Sequence, residues 1–448
     1  MIAKSRDSLG SAHASVFTAT ALVVGSMIGT GVFTSLGYQV AEIRSGFALI
    51  LIWVIGGIFA LCGALSYAEL SAALPRSGGE YHLLGRAFHP ALGFLSGWVS
   101  ATVGFAAPAS LAAIAFGEYL AKAFPELNAT GLAVGVLVAS GVVYVTRIEV
   151  GTGFLNLFTL VKLCLLVVLV IAGFTLVTSQ QSVFVPRSAD ARLVLSGPFA
   201  VSLIYVMYAY SGWNASTYIV NDLRNPQRTV PISLFMGTIL VTVLYVAANA
   251  AFLRSTPMDE LSGKIDVGMI SATKIFGAAG GRWMAVAISI GLVSTVAAMT
   301  WSGPRVMQMM GEDYPMLSVF ARTSRHGIPY MAVLWQTAIA LVMLITSSFE
   351  VIMVYIQFIL ILMSLLTVSA VFWLRWKEPK LLRPYRTWGY PITPLLYCAF
   401  SIYMLIYVFC VRPKESLLGI ATVIIGGVLY IAVRGKGEVA RNEGPVLK

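Results

Sequence analysis

The sequence predicts an all-α membrane protein with many spans, and three observations lead to this fold class. Hydrophobic residues make up 58% of the 448 positions and charged residues only 11%, whereas soluble domains carry about 25% charged residues. The mean hydropathy is +0.84. The apolar residues also fall into long runs of ~20, which is the length of helix that crosses a bilayer. We therefore expect a polytopic protein with twelve transmembrane helices.

The spans follow one another with short connections, and the longest gap, 255–280, has room for a loop with one short helix. Residues 1–15 are polar and charged, without the short apolar core and cleavage site of a signal peptide, so we expect an N-terminal cytoplasmic segment. Residues 435–448 form a second cytoplasmic tail. The twelve predicted spans are approximately 16–41, 47–74, 90–122, 128–147, 152–178, 195–221, 230–254, 281–310, 329–347, 350–375, 391–411 and 416–434.

The distribution of basic residues predicts the orientation. If the N-terminus lies inside, the inner segments hold roughly twice as many lysines and arginines as the outer loops, as the positive-inside rule requires. We expect a multi-pass protein of the inner (plasma) membrane with both termini in the cytoplasm. Basic inner loops against anionic lipid also account for the net charge of +11, so no nucleic-acid partner is needed.

Cysteine usage predicts neither a zinc site nor a disulfide framework, and we also expect no cofactor. Cys62, Cys164, Cys398 and Cys410 all fall within predicted spans, at spacings unlike those of metal ligands. We interpret them as small apolar residues.

The first span contains an unusual cluster of small residues. Gly25, Gly29 and Gly31 lie within seven residues, beside Ser26 and Thr30. Each glycine costs a helix interior roughly 1 kcal/mol relative to alanine, and backbone groups freed by a break find no water in the bilayer. Two explanations stay open from this stretch alone. Either the loosened backbone binds the charged head of a small zwitterion, or the small residues allow close helix packing.

A second cluster of this kind lies in the middle of the sixth span and favours the first explanation. Polar residues, one glycine and aromatic residues occupy 208–216, where an ordinary membrane helix is rich in leucine. The two interrupted spans open two halves of five spans each, 16–178 and 195–376, and two further spans follow in 391–434. Because five is odd, the second half enters the membrane from the opposite side. The pattern predicts a 5+5 inverted repeat with discontinuous helices 1 and 6, typical of many secondary transporters.

Lys162 lies well inside the fifth span. A lysine at mid-helix costs ~2.5–3.5 kcal/mol on insertion scales. About ten residues, roughly 15 Å of helix, separate it from the cytoplasmic end of the span, which is far for a side chain to reach the headgroups. We therefore favour a functional role for the Lys162 ammonium group over a position among the lipid headgroups. Ser294 and Thr295 place hydroxyls inside the eighth span, although hydrogen bonding to their own helix is their default.

Several motifs in chain order resemble those of the amino acid–polyamine–organocation superfamily, and within it the sodium-independent L-type amino acid transporters and their bacterial relatives. They cover spans one to eleven. The motifs are Gly-Ser-Met-Ile-Gly-Thr-Gly-Val-Phe at 25–33, Tyr-Ala-Glu-Leu at 67–70, Pro-Arg-Ser-Gly-Gly at 75–79, Phe-Thr-Leu-Val-Lys-Leu at 158–163, Tyr-Ala-Tyr-Ser-Gly-Trp-Asn at 208–214, Asn-Pro at 225–226 with Pro231, Gly-Pro-Arg at 303–305, and Lys-Glu-Pro at 377–379 with Arg-Pro-Tyr at 383–385.

The resemblance implies an amino acid site between the two breaks. Backbone N–H groups around Thr30 and Gly31 would bind the substrate carboxylate, and the carbonyls of Met27, Tyr208 and Ser211 its amino group. Tyr208 would cover the bound substrate as an aromatic gate. The expected substrate-binding residues are Met27, Gly29, Thr30, Gly31, Tyr208, Ser211 and Asn214.

The resemblance also implies that Lys162 occupies the place of a sodium ion in sodium-coupled relatives. Its ammonium would face the carbonyls of Gly25 and Ile28 and the hydroxyl of Ser294, and it could release a proton in one transport state. The expected cation-site or coupling residues are Gly25, Ile28, Lys162, Ser294 and Thr295.

The sequence departs from the family pattern at three places. Ala297 and Ala298 stand where relatives often carry a polar residue in the eighth span, so the resemblance does not extend to polar recognition of the substrate side chain there. The gate is a tyrosine rather than the more usual Phe or Trp. The loop 124–128 lacks the cysteine that links animal members to a heavy chain, so we expect no disulfide-linked partner.

We therefore expect a non-enzyme: a sodium-independent secondary transporter, exchanger or proton-coupled, for small or medium neutral L-amino acids, acting by alternating access as a monomer or weak homodimer. Cationic amino acids or polyamines are the alternative, but they would need a buried carboxylate near the breaks. A channel or an intramembrane enzyme is less favoured, because we find neither filter-like repeats nor catalytic clusters at depth.

Overall fold

A computed structural model describes residues 14–146, 152–177, 184–194, 196–324 and 327–434. Over these residues the chain is helical and forms no β-strand beyond one isolated bridge between Ala14 and Leu223. The prediction of an all-α fold is confirmed. The expected tails, 1–13 of the N-terminal segment and 435–448, lie outside the described residues.

The α-helices alternate with a few turns of other helix types. A π-helical turn covers Ser100–Gly104, and 3₁₀ turns cover Ala215–Tyr218, Val220–Asp222 and Pro315–Ala321. The α-helices are α1 (Val16–Met27), α2 (Gly31–Glu42), α3 (Gly46–Ala73), α4 (Gly79–Ala87), α5 (Pro90–Val99), α6 (Ala106–Ala123), α7 (Ala129–Thr146), α8 (Thr152–Thr175), α9 (Asp190–Val194), α10 (Gly197–Tyr210), α11 (Pro226–Ser255), α12 (Met258–Leu261), α13 (Val267–Asp313), α14 (Tyr330–Thr346), α15 (Phe349–Lys377), α16 (Ile392–Val411) and α17 (Pro413–Arg434).

Ten helical segments of the described chain are long and apolar enough to cross a membrane. Two shorter apolar helices, α10 and α14, occupy the positions of the sixth and ninth predicted spans. Each of the twelve predicted stretches thus contains helix. Many apolar side chains on the outer faces are exposed, as a surrounding of lipid requires.

Within the described helices, the structure is irregular at Pro108 and at Gly277. The third span carries its π-helical turn just before Pro108, because a proline has no N–H to offer the carbonyl of Gly104. Gly277 adopts a φ of +79°, which turns the chain sharply inside α13. The gap 255–280, expected to hold one short helix, contains two: α12 and the first turns of α13.

The interrupted segments lie at the centre of the bundle. α1 packs against α8 and α11, and α2 packs against α10. α3, α13 and α15 surround them and bury most of their side chains. The fold therefore surrounds these chain breaks with protein, and non-helical backbone is tolerated inside a membrane where protein or a water-filled cavity adjoins it.

On the side predicted to be cytoplasmic, a buried ion pair joins α3 to α15. Glu69, whose side chain is 2% exposed, accepts two hydrogen bonds from Arg375 at 2.8 and 2.6 Å. Its Oε2 also accepts bonds from the N–H and hydroxyl of Thr387, each at 2.7 Å. The Arg375 guanidinium lies 3.6 Å from the ring centre of Tyr390. A carboxylate with this many donors anchors the segment after α15 to α3.

Candidate functional site

The first break leaves a row of N–H groups without acceptors. α1 ends at Met27, Ile28 leaves the helical region with ψ of 87°, and α2 begins at Gly31. Among the described residues, no acceptor receives a hydrogen bond from the N–H of Thr30, Gly31 or Val32. These groups form the positive end of a twelve-residue helix, which is a favourable environment for an anion such as a carboxylate.

The end of α1 offers the opposite charge. The carbonyls of Gly25, Ser26 and Ile28 accept no hydrogen bond within the described chain. The carbonyl of Met27 accepts two, from the N–H of Gly29 at 2.9 Å and from the hydroxyl of Tyr245 at 2.5 Å. In this conformation the lone pairs of Met27 are therefore used, and its neighbours carry the free partial negative charge.

The second break begins where α10 ends. Gly212 has a φ of +95°, a conformation that favours glycine. The carbonyl of Tyr208 accepts bonds from the N–H of Ser211 at 3.1 Å and from its hydroxyl at 2.7 Å. The carbonyl of Asn214 accepts bonds from Thr217. Among the expected ligands here, Ser211 has a carbonyl that receives no hydrogen bond from the described residues.

The two breaks lie against each other through three contacts. The hydroxyls of Thr30 and Tyr208 are 2.5 Å apart and hydrogen-bonded. A Cβ on Gly31 would lie 2.4 Å from Cα of Ala209, so only glycine allows this approach of α2 to α10. A Cβ on Gly212 would lie 2.7 Å from the carbonyl oxygen of Ser26. The structure thus brings Thr30, Gly31 and Tyr208 of the predicted set together, and Ser211 lies next to Gly212 in the chain.

Gly29 faces in another direction. A Cβ placed on it would meet nothing closer than 3.8 Å, the methyl group of Thr295. Gly29 therefore points towards α13 rather than towards α10, and the space beside it is open enough for a small group. Its role as a ligand stays a prediction, as do those of Met27 and Asn214.

Lys162 lies between α1 and α13 with only 5% of its surface exposed. Its stem packs on Gly291, where a Cβ would come 2.9 Å from its Cγ, and its Nζ is 3.4 Å from the Thr295 hydroxyl. Thr159, one turn earlier on α8, fills the space beside Gly25. The lysine therefore lies beside Thr295 and one turn away from the residue that contacts Gly25. Its role in coupling stays a prediction.

Its expected contacts differ in detail from those observed. Lys162 Nζ forms no hydrogen bond with the carbonyls of Gly25 and Ile28 or with Ser294 in the described structure. Ser294 instead donates to the carbonyl of Gly291, 2.7 Å away on its own helix. The Ser294 hydroxyl thus forms its hydrogen bond within α13, and the hydroxyl of the neighbouring Thr295 is the one that lies beside Lys162.

The sequence reasoning missed Tyr245. It lies in the middle of α11, is fully buried, and its ring packs edge-on against Trp53 with 5.6 Å between ring centres. Its hydroxyl is the donor that fixes the end of α1 at Met27. Its position in the middle of a predicted span could have indicated this role, because a hydroxyl group buried inside a membrane needs a hydrogen-bond acceptor.

Comparison with known proteins decides the family. The sequence profile described as amino acid permease matches residues 15–432. The chain belongs to the amino acid permease family. The resemblance to the amino acid–polyamine–organocation superfamily is thereby confirmed, and with it the prediction of a membrane protein of the amino acid transporter class.

Two named relatives show how far the similarity extends. The large neutral amino acids transporter small subunit 2 of Mus musculus is 26% identical over 424 residues, which cover 92% of this permease and 79% of the relative. The b(0,+)-type amino acid transporter 1 of Homo sapiens is 24% identical over 418 residues, covering 91% and 85% respectively. The range matched by the family profile, 15–432, includes both breaks and Lys162.

Proposed function

We propose that this permease is a sodium-independent secondary transporter of small or medium neutral L-amino acids that works by alternating access. The observation that carries the proposal is the meeting of the two breaks. Free N–H groups at the start of α2 suit a carboxylate, and free carbonyls at the end of α1 and at Ser211 suit an ammonium group. A zwitterionic amino acid has both charges at one end.

The proposed membrane architecture is the 5+5 inverted repeat with discontinuous helices 1 and 6, followed by two further spans. The first interrupted helix would consist of α1 and α2. Its equivalent in the second half would consist of α10 and the 3₁₀ turns that follow it. Support comes from their positions as the first and sixth of twelve helical stretches. The proposed location is the inner (plasma) membrane with both termini in the cytoplasm.

Lys162 supports independence from sodium. A buried ammonium between α1 and Thr295 supplies the positive charge that a bound sodium ion would otherwise bring. Exchange and proton symport are both compatible with this arrangement.

The breaks themselves favour neutral substrates. One relative is named for large neutral amino acids and the other is of the b(0,+) type. No carboxylate is among the described hydrogen-bond partners of the breaks, and a cationic side chain would need one.

We propose a monomer or weak homodimer without a disulfide-linked heavy chain, although the mouse relative is named a small subunit. All four cysteines are free, and none lies in the loop 124–128.

The test is uptake of a labelled neutral amino acid into proteoliposomes containing the purified permease. We expect saturable uptake that is unchanged when choline replaces sodium, together with trans-stimulation by unlabelled substrate. Strict dependence on sodium, or a flux that rises linearly with concentration, would contradict the proposal.

A further inference from the structure

Glu80 is a buried carboxyl group that the amino acid site does not use. It lies on α4, between the second and third spans, and only 5% of its surface is exposed. Its Oε1 accepts a hydrogen bond from the Tyr67 hydroxyl at 2.5 Å and another from Ser364 at 3.1 Å. None of the described lysine, arginine or histidine side chains forms an ion pair with it. A charged carboxylate buried without a cation is unfavourable.

The surroundings of Glu80 are hydroxyl groups from several elements. The titratable groups that face it are Tyr67 on α3, Tyr218 on the 3₁₀ turn and Tyr397 on α16. His82, on the same helix, is influenced by Arg76 and Arg86 rather than by Glu80. Glu80 thus sits among neutral donors, which are suitable partners for either protonation state of a carboxyl group.

Contacts link this carboxyl group to the second break. The Tyr67 ring packs edge-on against Trp213, the residue after Gly212, with 4.7 Å between ring centres. Gly79, next to Glu80, contacts the Tyr218 ring so closely that a Cβ would lie 2.4 Å from it. The 3₁₀ segment that follows the break therefore covers Glu80, and a movement of that segment away from α4 would admit water to the carboxyl group.

We propose that Glu80 is a proton-binding site, exchanging with the predicted cytoplasmic side, whose bound proton holds the segment after the second break closed over α4. The inference rests on the proposed transport function, because opening of this segment is the step that it controls. The ligand is a proton taken from water, and no substrate contact is required.

The direction of the pH effect follows from the two environments of the side chain. Burial raises the pKa of Glu80 above its usual value in the closed arrangement. Once the segment opens and water enters, the pKa returns towards the ordinary value of about 4.3. Between these two values the closed form binds more protons than the open form. Falling pH therefore stabilises the closed form, by up to about tenfold in the closed-to-open ratio per pH unit.

The test measures homoexchange of a labelled neutral amino acid in proteoliposomes with the same pH on both sides, from about pH 5 to pH 8, a range above the ordinary carboxyl pKa. The wild-type rate should rise with pH. Glu80→Gln, which mimics the neutral acid, should give a rate that does not vary with pH in this window and that matches the wild type at the acid end. Glu80→Asp should restore the pH dependence. Glu312→Gln removes an exposed carboxylate and should keep the wild-type profile.

A second readout does not depend on transport. Infrared difference spectra of the purified protein between acid and alkaline pH should show the band of a buried protonated carboxyl group, and Glu80→Gln should lack it. Tyr67→Phe removes a donor that stabilises the charged form, so it should move the titration to higher pH. A pH profile unchanged in Glu80→Gln, or persistence of the infrared band, would overturn the proposal. If no variant exchanges amino acids, the transport proposal fails and the infrared result still decides whether Glu80 binds a proton.

Discussion

At the scale of single residues, the two parts of the Lys162 side chain differ in how well they are packed. The stem packs on Gly291, whereas the ammonium has one described partner, the Thr295 hydroxyl at 3.4 Å. One long hydrogen bond compensates little of the cost of burying an ammonium group. The free carbonyls at the end of α1 lie on the helix that packs against α8, so we infer that the lysine stabilises them when that end closes.

Replacing Lys162 with methionine separates transport from folding. Methionine fills much of the same volume without the charge, so thermal stability should stay near or above that of the wild type. Exchange of a neutral amino acid should fall at least about tenfold, equivalent to 1.4 kcal/mol, because the charge at the end of α1 is lost. Lys122→Met, at an exposed position near the end of α6, is the matched control and should retain wild-type exchange. Full activity in Lys162→Met would show that the ammonium group serves only the structure.

At the scale of helices, the contact between α2 and α10 depends on the absence of a side chain at Gly31. The backbone of Ala209 occupies the place that a Cβ would need. The contact holds the free N–H groups of α2 beside the second break, and the hydrogen bond between Thr30 and Tyr208 lies on the same interface. Of the two explanations left open by the glycine cluster, close helix packing therefore holds for Gly31. Binding of a zwitterion by the same stretch stays a prediction.

Gly31→Ala should therefore destabilise the protein. The added methyl group would meet backbone rather than a flexible side chain, and overpacking of this kind costs about 1–3 kcal/mol. Thermal unfolding in detergent should show a clear drop in the unfolding temperature, with loss of substrate-induced stabilisation. Gly135→Ala on α7, where a Cβ meets no atom within 4 Å, should instead leave the unfolding temperature unchanged or raise it. Equal unfolding temperatures for the two variants would refute the packing role of Gly31.

The sequence predicted an all-α chain, because long apolar runs are a local signal. α1 and α10 end at the two clusters of small and polar residues that the sequence singled out, whereas the inverted repeat stays a prediction. The resemblance implied that Lys162 faces the Ser294 hydroxyl, whereas the hydroxyl beside its Nζ is that of Thr295, because the choice between the two depends on the rotation of α13. The role of Tyr245 was also missed, because its acceptor, the Met27 carbonyl, is far away in sequence. Contacts of this kind are set by tertiary packing, which a pattern of residues does not contain.

At the scale of the whole molecule, backbone groups of opposite partial charge lie close together where α1 ends and α2 begins. The start of α2 and the end of α1 contribute them from a single interrupted stretch, and the second break closes the space from the other side. Under the proposed function, the ligand that fits this arrangement carries an anionic and a cationic group on one carbon, as an amino acid does. Alternating access then requires that the segments around both breaks move relative to the helices that surround them.

The most direct test of this account compares leucine with two derivatives as competitors of labelled leucine uptake. Leucinamide lacks the carboxylate and N-acetylleucine lacks the ammonium group, whereas the side chain is the same in all three. We predict that leucine competes and that both derivatives lose at least about a hundredfold in affinity, equivalent to 2.7 kcal/mol, because each leaves one set of backbone groups unpaired. Competition by either derivative as strong as that by leucine would contradict the claim that the two breaks bind both charged groups of an amino acid.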